Sequence, residues 1–144
     1  QEINSPITKM DLSEVPMSRL KNPYHQLKPL PTEEEMRQQV EEADVIMVSG
    51  GNTLYAMKRW EEIGMADVLK DASKMENGPV FCGGSAGAIC WFDKGNSDSM
   101  NPTTLLNPDP NLTEDEKNNW DYICIDGLGF LRGLCVPHYD VRQH

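Results

Sequence analysis

The residues best suited to chemistry lie between Pro79 and Trp91, in the segment P-V-F-C-G-G-S-A-G-A-I-C-W. An apolar run ends at two glycines, Ser85 follows, and a helix-compatible run begins at Ala86. The embedded G-x-S-x-G pattern is typical of a nucleophile elbow, a strained strand-turn-helix in which a serine hydroxyl stands clear of the backbone. The free N–H groups at the helix start, beginning with that of Ala86, would face a developing oxyanion. A plain glycine-rich turn is the alternative, because Gly-Gly-Ser also occurs as a simple connector.

A serine hydroxyl is a weak nucleophile unless a base removes its proton, and His138 is the best-placed candidate. It follows an apolar run and Pro137, so the chain would present it at the end of a strand. Working residues of open parallel sheets gather at the carboxyl ends of strands, and Ser85 meets the same condition. His25 lies in a proline-rich segment, and His144 is the last residue of the sequence. An ordinary surface or packed loop histidine is the alternative interpretation of His138.

The acid that would orient this histidine is not fixed by spacing alone. Asp140 is only two residues from His138, which makes it difficult to place its carboxylate behind the imidazole ring. Asp98 lies after the elbow helix, and a loop that returns past Ser85 could present it to His138. The alternative for Asp98 is a turn-capping aspartate. The other candidate acids are Asp93, Asp121 and Asp126.

A second glycine-containing loop, 50–53, also follows an apolar run. Glycines at such a position allow a backbone amide to approach a bound substrate closely. We therefore expect the amide of Gly51 to join that of Ala86 as a second oxyanion donor. A phosphate-binding loop is the competing interpretation, but the G-x-x-x-x-G-K-[ST] pattern and its lysine are absent here.

The elements that must position these residues alternate between helices and strands. Thr32 with Glu35 forms a capping box, which predicts a helix whose buried face carries Met36, Val40 and Ala43. The uninterrupted apolar run that follows favours a strand covered on both faces. The predicted elements are a strand at 7–12, a proline-rich surface loop at 13–31, a helix at 33–43, a strand at 44–48, helices at 54–60 and 65–75, the elbow strand at 80–82 with its helix, a long polar loop at 93–113, and strands at 120–124 and 134–136. This alternation predicts an α/β fold in a single domain, residues 1–144.

The composition argues against two classes of partner. The chain has 13 basic and 23 acidic residues and a formal net charge of −10. Nucleic acids and anionic membrane surfaces both favour positively charged proteins, so we expect neither as a partner. The apolar runs are also too short for a membrane-spanning helix.

The four cysteines, Cys82, Cys90, Cys124 and Cys135, lack the C-x-x-C spacing of common zinc and redox sites. All four lie in apolar runs. We therefore expect reduced, buried cysteines in a cytosolic protein, with no metal site.

Four motifs in order make the chain resemble the peptidase E group of serine peptidases, family S51. They are V-S-G-G-N-T, G-G-S-A-G-A-I-C-W-F, G-N-S-D-S and L-G-F-L-R-G-L-C-V-P-H-Y-D, which together span Val48 to Asp140. The group comprises aspartyl dipeptidases and their relatives, with cyanophycinases as a more distant branch. The resemblance implies a fold like that of class I glutamine amidotransferases, a mostly parallel sheet flanked by helices with the nucleophile on an elbow.

The resemblance also implies roles for five residues. Ser85 would be the nucleophile and His138 the general base, with Gly51 and Ala86 forming the oxyanion hole. The S-D-S segment aligns with the family's aspartate and places the acid at Asp98, although other branches use a glutamate. The resemblance further implies a cytoplasmic enzyme that needs no cofactor or metal. Its substrates would be small peptides, with N-terminal aspartyl dipeptides among them.

Two departures from the family accompany this resemblance. Family members carry a strand, a helix and a strand before the position of Gln1 and a tail beyond His144. The resemblance therefore implies a domain that is incomplete at both ends, and exposed sheet edges would then favour association into a homo-oligomer. Peptidase E recognises the acidic side chain of its substrate with an arginine. Arg142 is the arginine that closely follows His138, and the pattern does not assign it that role.

The leading hypothesis is a serine exopeptidase that acts through an acyl-enzyme. A non-catalytic binding protein on the same fold is the alternative from another functional class. A third interpretation is an α/β-hydrolase such as an esterase. It is disfavoured because only 53 residues separate Ser85 from His138, which is a short interval for that fold.

Overall fold

The computed structural model describes residues 30–104 and 109–140. The predicted strand at 7–12 and nearly all of the predicted proline-rich loop lie outside the described residues. His25, Arg142 and His144 lie outside them as well. In the described ranges helices and strands are interspersed along the chain, in agreement with the predicted α/β class.

Five α-helices, a 3₁₀ turn and five strands follow one another in the described ranges. They are α1 (Glu33–Glu41), β1 (Val45–Val48), α2 (Thr53–Glu62), α3 (Met65–Ala72), β2 (Val80–Gly83), α4 (Ala86–Ile89), β3 (Phe92–Ser97), the 3₁₀ turn (Pro102–Thr104), α5 (Glu114–Asn118), β4 (Ile123–Asp126) and β5 (Leu131–Cys135).

Two helices begin at capping boxes. At α1 the Thr32 hydroxyl accepts the Glu35 N–H at 3.2 Å, and the Glu35 carboxylate accepts the Thr32 N–H at 2.7 Å. Hydrogen bonds from the backbone and the hydroxyl of Thr32 lower the pKa of Glu35. The same arrangement of Thr113 and Glu116 starts α5, a helix that we did not predict although its T-x-x-E pattern is in the sequence.

The five strands form two small sheets. β1 and β2 pair in parallel, with Val45 opposite Val80 and Val48 opposite Gly83. In the second sheet β3 is central, antiparallel to β4 and parallel to β5. We predicted one mostly parallel sheet, whereas the described residues form one parallel sheet and one mixed sheet.

The hydrophobic core lies between β1–β2 and the helices. Ile46 and Val48 of β1 and Phe81 of β2 pack against it. Its buried members are Met36, Val40, Met57, Trp60, Met65, Ala66, Val68, Leu69, Ala72, Cys90, Trp91, Ile125 and Leu128. Met36 and Val40 lie on the buried face of α1 as predicted, whereas Ala43 follows the end of that helix and is half-buried.

The prediction that β1 is covered on both faces is wrong for the described residues. Val45 and Met47 are 56% and 78% exposed, and Val80 beside them on β2 is 63% exposed. Successive side chains of a strand point to opposite faces of the sheet. One face of the β1–β2 sheet therefore packs on the core, and no described residues cover the other.

The predicted long loop at 93–113 is also wrong in its first part, because Phe92–Ser97 forms β3. The segment F-D-K-G-N-S contains no β-branched residue, a type that favours strands, but it pairs with a neighbour on each side. A Cβ added at Gly95 would overlap the Ile89 side chain, so this position fits tightly over α4. Tertiary pairing therefore decides the conformation of this polar segment.

The four cysteines are free, but they are not all buried. Cys90 is buried, and desolvation raises the pKa of its thiol to about 12. The prediction fails for Cys124, which is exposed because it lies on the outer face of β4, an edge strand. None of the helices in the two described ranges is long and apolar enough to cross a membrane.

Two glycines allow β1, β2 and α4 to come into direct backbone contact. A Cβ added at Gly87 would overlap the carbonyl oxygen of Val48, and one added at Gly83 would overlap the carbonyl oxygen of Gly87. A side chain at either position would therefore force the strand and the elbow helix apart. At Gly84, in the same turn, an added Cβ meets no heavy atom within 4 Å.

We therefore predict that Gly87→Ala destabilises the protein and that Gly84→Ala does not. The expected loss for Gly87→Ala is about 1–3 kcal/mol or more, as for overpacking of a well-packed site. Urea unfolding of the two variants and the unsubstituted protein measures it. Equal midpoints for the two variants would contradict the contact between α4 and β1.

Candidate active site

The carboxyl ends of β1 and β2 meet at one edge of their sheet, since the two strands are parallel and in register. The Gly84 N–H donates to the Val48 carbonyl at 3.3 Å, just beyond the last strand pair. A Cβ built on Gly50 would lie 3.3 Å from Cβ and 3.7 Å from Oγ of Ser85. The glycine loop after β1 therefore lies beside the serine after β2.

Ser85 occupies the sharp turn between β2 and α4, with φ 55° and ψ −120°. A non-glycine residue at positive φ is strained, at a cost of about 1–3 kcal/mol, and such strain is concentrated at functional sites. The adjacent helix is fixed in part by Cys90, whose thiol donates to the Gly87 carbonyl at 3.0 Å. This strand-turn-helix has the geometry of the elbow that the G-x-S-x-G pattern predicts.

His138 lies against this serine although 53 residues separate them in the chain. Its Nε2 is 2.9 Å from Ser85 Oγ, a hydrogen-bonding distance. His138 is exposed and also has a positive φ, 57°. When Nε2 carries no proton it accepts the hydrogen bond from the serine hydroxyl, which is the arrangement that general-base catalysis needs.

A β-bulge sets the path of β5, the strand that leads to His138. The β3–β5 register shifts between Phe92 and Lys94, so that two residues of β5 face one residue of β3. The Asp93 carboxylate stabilises this irregularity by accepting the Gly133 N–H at 3.1 Å. Bulges of this kind commonly re-aim a strand near an active site.

Aromatic side chains connect the two halves of the site. Trp91 follows the elbow helix, with its ring centroid 5.0 Å from that of Phe81 on β2 and 5.6 Å from that of Phe130. Phe130, which directly precedes β5, is also 5.1 Å from Phe81. The strand that leads to Ser85 and the segment that leads to His138 are therefore packed on the same tryptophan.

Of the two predicted oxyanion donors, Gly51 follows Gly50 in the glycine loop, and Ala86 follows Ser85 as the first residue of α4. Neither backbone N–H donates a hydrogen bond to another described residue. A Cβ added at Gly51 would meet no heavy atom within 4 Å. Neither amide is therefore committed to a partner among the described residues; Gly51 is exposed, and Ala86 is buried.

Asp98 follows β3 and is half-buried. Its carbonyl accepts the Asn101 N–H at 2.8 Å, but its carboxylate makes no hydrogen bond to His138. No other carboxylate within residues 30–104 and 109–140 hydrogen-bonds to this histidine either. Of the alternative acids, Asp93 binds Gly133, and Asp126 pairs with Lys94 at 2.6 Å.

Sequence reasoning missed a group of buried hydroxyls near the glycine loop. Thr53, Ser97 and Ser99 are buried and hydrogen-bonded to one another. Alternate serines in the S-D-S motif are a signal that could have indicated them, because alternate residues of an extended segment share one face. In the described part of the chain, no group of three or more His, Cys, Asp or Glu side chains is arranged to bind a metal ion.

Comparison with known proteins places the chain in a family. The model of peptidase family S51 matches residues 20–144. An "Uncharacterized peptidase YgaJ" from Bacillus subtilis (strain 168) is 43% identical over 101 residues, which cover 70% of this chain and 35% of the relative. The chain thus spans about a third of the length of this curated relative. No solved structure matches the chain. The chain belongs to peptidase family S51, which confirms the family indicated by its four motifs.

Proposed function

We propose that this chain is a serine peptidase in which Ser85 is the nucleophile and His138 is the general base. The observation that carries the proposal is the 2.9 Å distance between Ser85 Oγ and His138 Nε2. Membership of a peptidase family supports the reaction class, and the strained backbone of Ser85 supports its role as the nucleophile. A nucleophile within hydrogen-bonding reach of a base is the minimum unit for acyl transfer.

In the proposed mechanism Ser85 Oγ attacks the peptide carbonyl while His138 Nε2 accepts the hydroxyl proton. The carbonyl oxygen gains negative charge, which the amides of Gly51 and Ala86 stabilise by hydrogen bonds. Collapse of this intermediate breaks the C–N bond, and the imidazolium gives its proton to the leaving amine. Water, activated by the same histidine, then hydrolyses the acyl-enzyme and releases Ser85.

The proposed substrates are short peptides, cleaved as by an exopeptidase. Because of the resemblance to peptidase E, dipeptides with an N-terminal aspartate are the first compounds to test. The same resemblance adds a class I glutamine amidotransferase-like fold to the proposal. The relative from Bacillus subtilis is named a peptidase without a stated substrate. We expect a cationic group near the aspartyl side chain of the substrate, because the net charge of −10 gives an overall field that opposes an acidic substrate.

Asp98 remains the proposed orienting acid. Its support is its place in the chain, between two buried serines, Ser97 and Ser99, that fix the backbone on either side. Asp98 itself is half-buried, and no side-chain hydrogen bond to another described residue holds its carboxylate elsewhere. Catalytic hydrogen bonds are often long in a free enzyme and shorten when substrate binds.

We predict that Ser85→Ala abolishes hydrolysis of Asp-X dipeptides, with a fall in kcat of about 10⁶-fold, as for other serine peptidases that lose the nucleophile. Initial rates with a panel of dipeptides measure this loss. A fluorophosphonate should label the unsubstituted protein at Ser85, identified by peptide mass spectrometry, and should leave the variant unlabelled. Ser73→Ala, which removes an exposed hydroxyl on the end of α3, is the matched control and should behave like the unsubstituted protein.

Unchanged turnover by Ser85→Ala would refute the proposal. If the unsubstituted protein binds peptides but neither hydrolyses them nor reacts with the phosphonate, the non-catalytic binding protein becomes the better account.

We also predict that Asp98→Asn lowers kcat by about 10²–10⁴-fold and leaves KM nearly unchanged. An amide of the same size cannot stabilise the imidazolium and favours the wrong imidazole tautomer, which is the known effect of this change in a serine triad. Steady-state kinetics on the same dipeptides measure it.

Asp67→Asn is the control for Asp98→Asn, because it makes the same change at an exposed aspartate on α3 that is not a candidate for the orienting acid. Wild-type kcat in Asp98→Asn would remove Asp98 from the proposed triad. Ser85 and His138 would then act without that acid.

A further inference from the structure

Three buried hydroxyl groups, here called the hydroxyl cluster, lie between the start of α2 and the end of β3. They belong to Thr53, Ser97 and Ser99, which are 1%, 2% and 3% exposed. Burying a hydroxyl is costly unless it finds a hydrogen-bonding partner. The hydrogen-bonding partners of the hydroxyl cluster therefore decide whether its burial is costly.

Every hydroxyl of the cluster has a partner. Ser97 Oγ donates to Thr53 Oγ1 at 3.2 Å and is 2.8 Å from Ser99 Oγ. Ser99 Oγ accepts the Leu54 N–H at 3.1 Å. That N–H is one of the donors at the start of α2 that no helix carbonyl satisfies. The cluster thus joins the end of β3 to the first turn of α2.

Asn52 makes a second connection between the same two segments. Its Oδ1 accepts the Tyr55 N–H at 2.9 Å and so caps α2, while its Nδ2 donates to the Ser99 carbonyl at 3.0 Å. Asn52 directly follows Gly51. The residue next to the proposed oxyanion donor is therefore held by the helix on one side and by Ser99 on the other.

We propose that Ser99 is a positioning residue that fixes the direction of the Gly51 amide. Its hydroxyl binds Leu54 and its carbonyl binds Asn52, so both contacts end within three residues of Gly51. The inference rests on the proposed function, because it assigns Ser99 to the oxyanion hole of that reaction. An oxyanion is present in the transition state and absent from the bound substrate, so a displaced donor affects kcat rather than KM.

The test compares Ser99→Ala with the full unsubstituted chain and with Ser73→Ala, the same change at an exposed hydroxyl. We expect kcat to fall about 10–100-fold and KM to stay within about twofold, because a small misplacement of a catalytic group can cost about 10²-fold in rate. The rate of phosphonylation of Ser85 should fall in parallel. The midpoint of the pH–rate profile should not move when only the Gly51 amide is displaced, whereas displacement of Asp98, which precedes Ser99, would move it. Ser73→Ala should match the unsubstituted chain throughout.

A second variant covers the case in which Ser99→Ala does not fold. Asn52→Ser keeps a good N-cap for α2, because serine is about as effective as asparagine there. Its shorter side chain cannot reach the Ser99 carbonyl, so it removes that connection and retains the helix. We expect about a tenfold fall in kcat with unchanged KM, and a urea midpoint close to that of the unsubstituted chain.

The outcomes separate the two claims. If the phosphonate labels Ser85 in the unsubstituted chain but folded Ser99→Ala or Asn52→Ser keeps full kcat, the positioning role is overturned and the proposed function stands. A raised KM or a shifted pH midpoint in these variants overturns it too, because either change shows a wider disturbance of the site. The proposed function and this inference both fail if the phosphonate does not label the unsubstituted chain and Ser85→Ala has the same activity as the unsubstituted chain.

Discussion

The site depends on a close backbone contact between β1 and the elbow that only glycine permits. Gly83 and Gly87 let the elbow and α4 come against the carbonyl of Val48, the last residue of β1. This contact fixes the turn in which Ser85 adopts its positive φ, and it brings Gly50 beside the serine. The proposed nucleophile and the glycine loop are therefore positioned by the same close packing. Strain of this kind persists where the surrounding structure over-determines it.

The histidine is positioned by a different interaction, the packing of aromatic rings around Trp91. Phe81 lies on the strand before the elbow and Phe130 directly precedes β5, and both rings pack on that of Trp91. Aromatic pairs stabilise by about 0.5–1.5 kcal/mol beyond the area they bury. These aromatic rings fix the segment that leads to His138 against the elbow. The bulge at Asp93 and Gly133 then sets the course of β5, the strand that precedes His138. Two residues 53 positions apart thereby share a hydrogen bond.

The sequence predicts the local parts of this arrangement and not the way they pair. The elbow, the capping box at Thr32 and the apolar strand β1 all follow from patterns of neighbouring residues, and the structure contains them. The strand β3 does not follow from its sequence, because pairing with β4 and β5 gives that polar segment its conformation. The hydroxyl cluster was missed for the same reason, since the partners of Ser99 are 45 and 47 residues away. The position of Asp98 relative to His138 also depends on contacts across the fold, and spacing in the chain could not supply them.

A crystal structure of the protein phosphonylated at Ser85 tests most directly whether the serine, the histidine and the two amides form one site. A phosphonyl oxygen takes the place of the oxyanion in such an adduct. The account predicts this oxygen at about 2.7–3.1 Å from the backbone nitrogens of both Gly51 and Ala86, with His138 Nε2 beside Oγ of the modified serine. An oxygen that points into solvent, away from both nitrogens, would contradict the account.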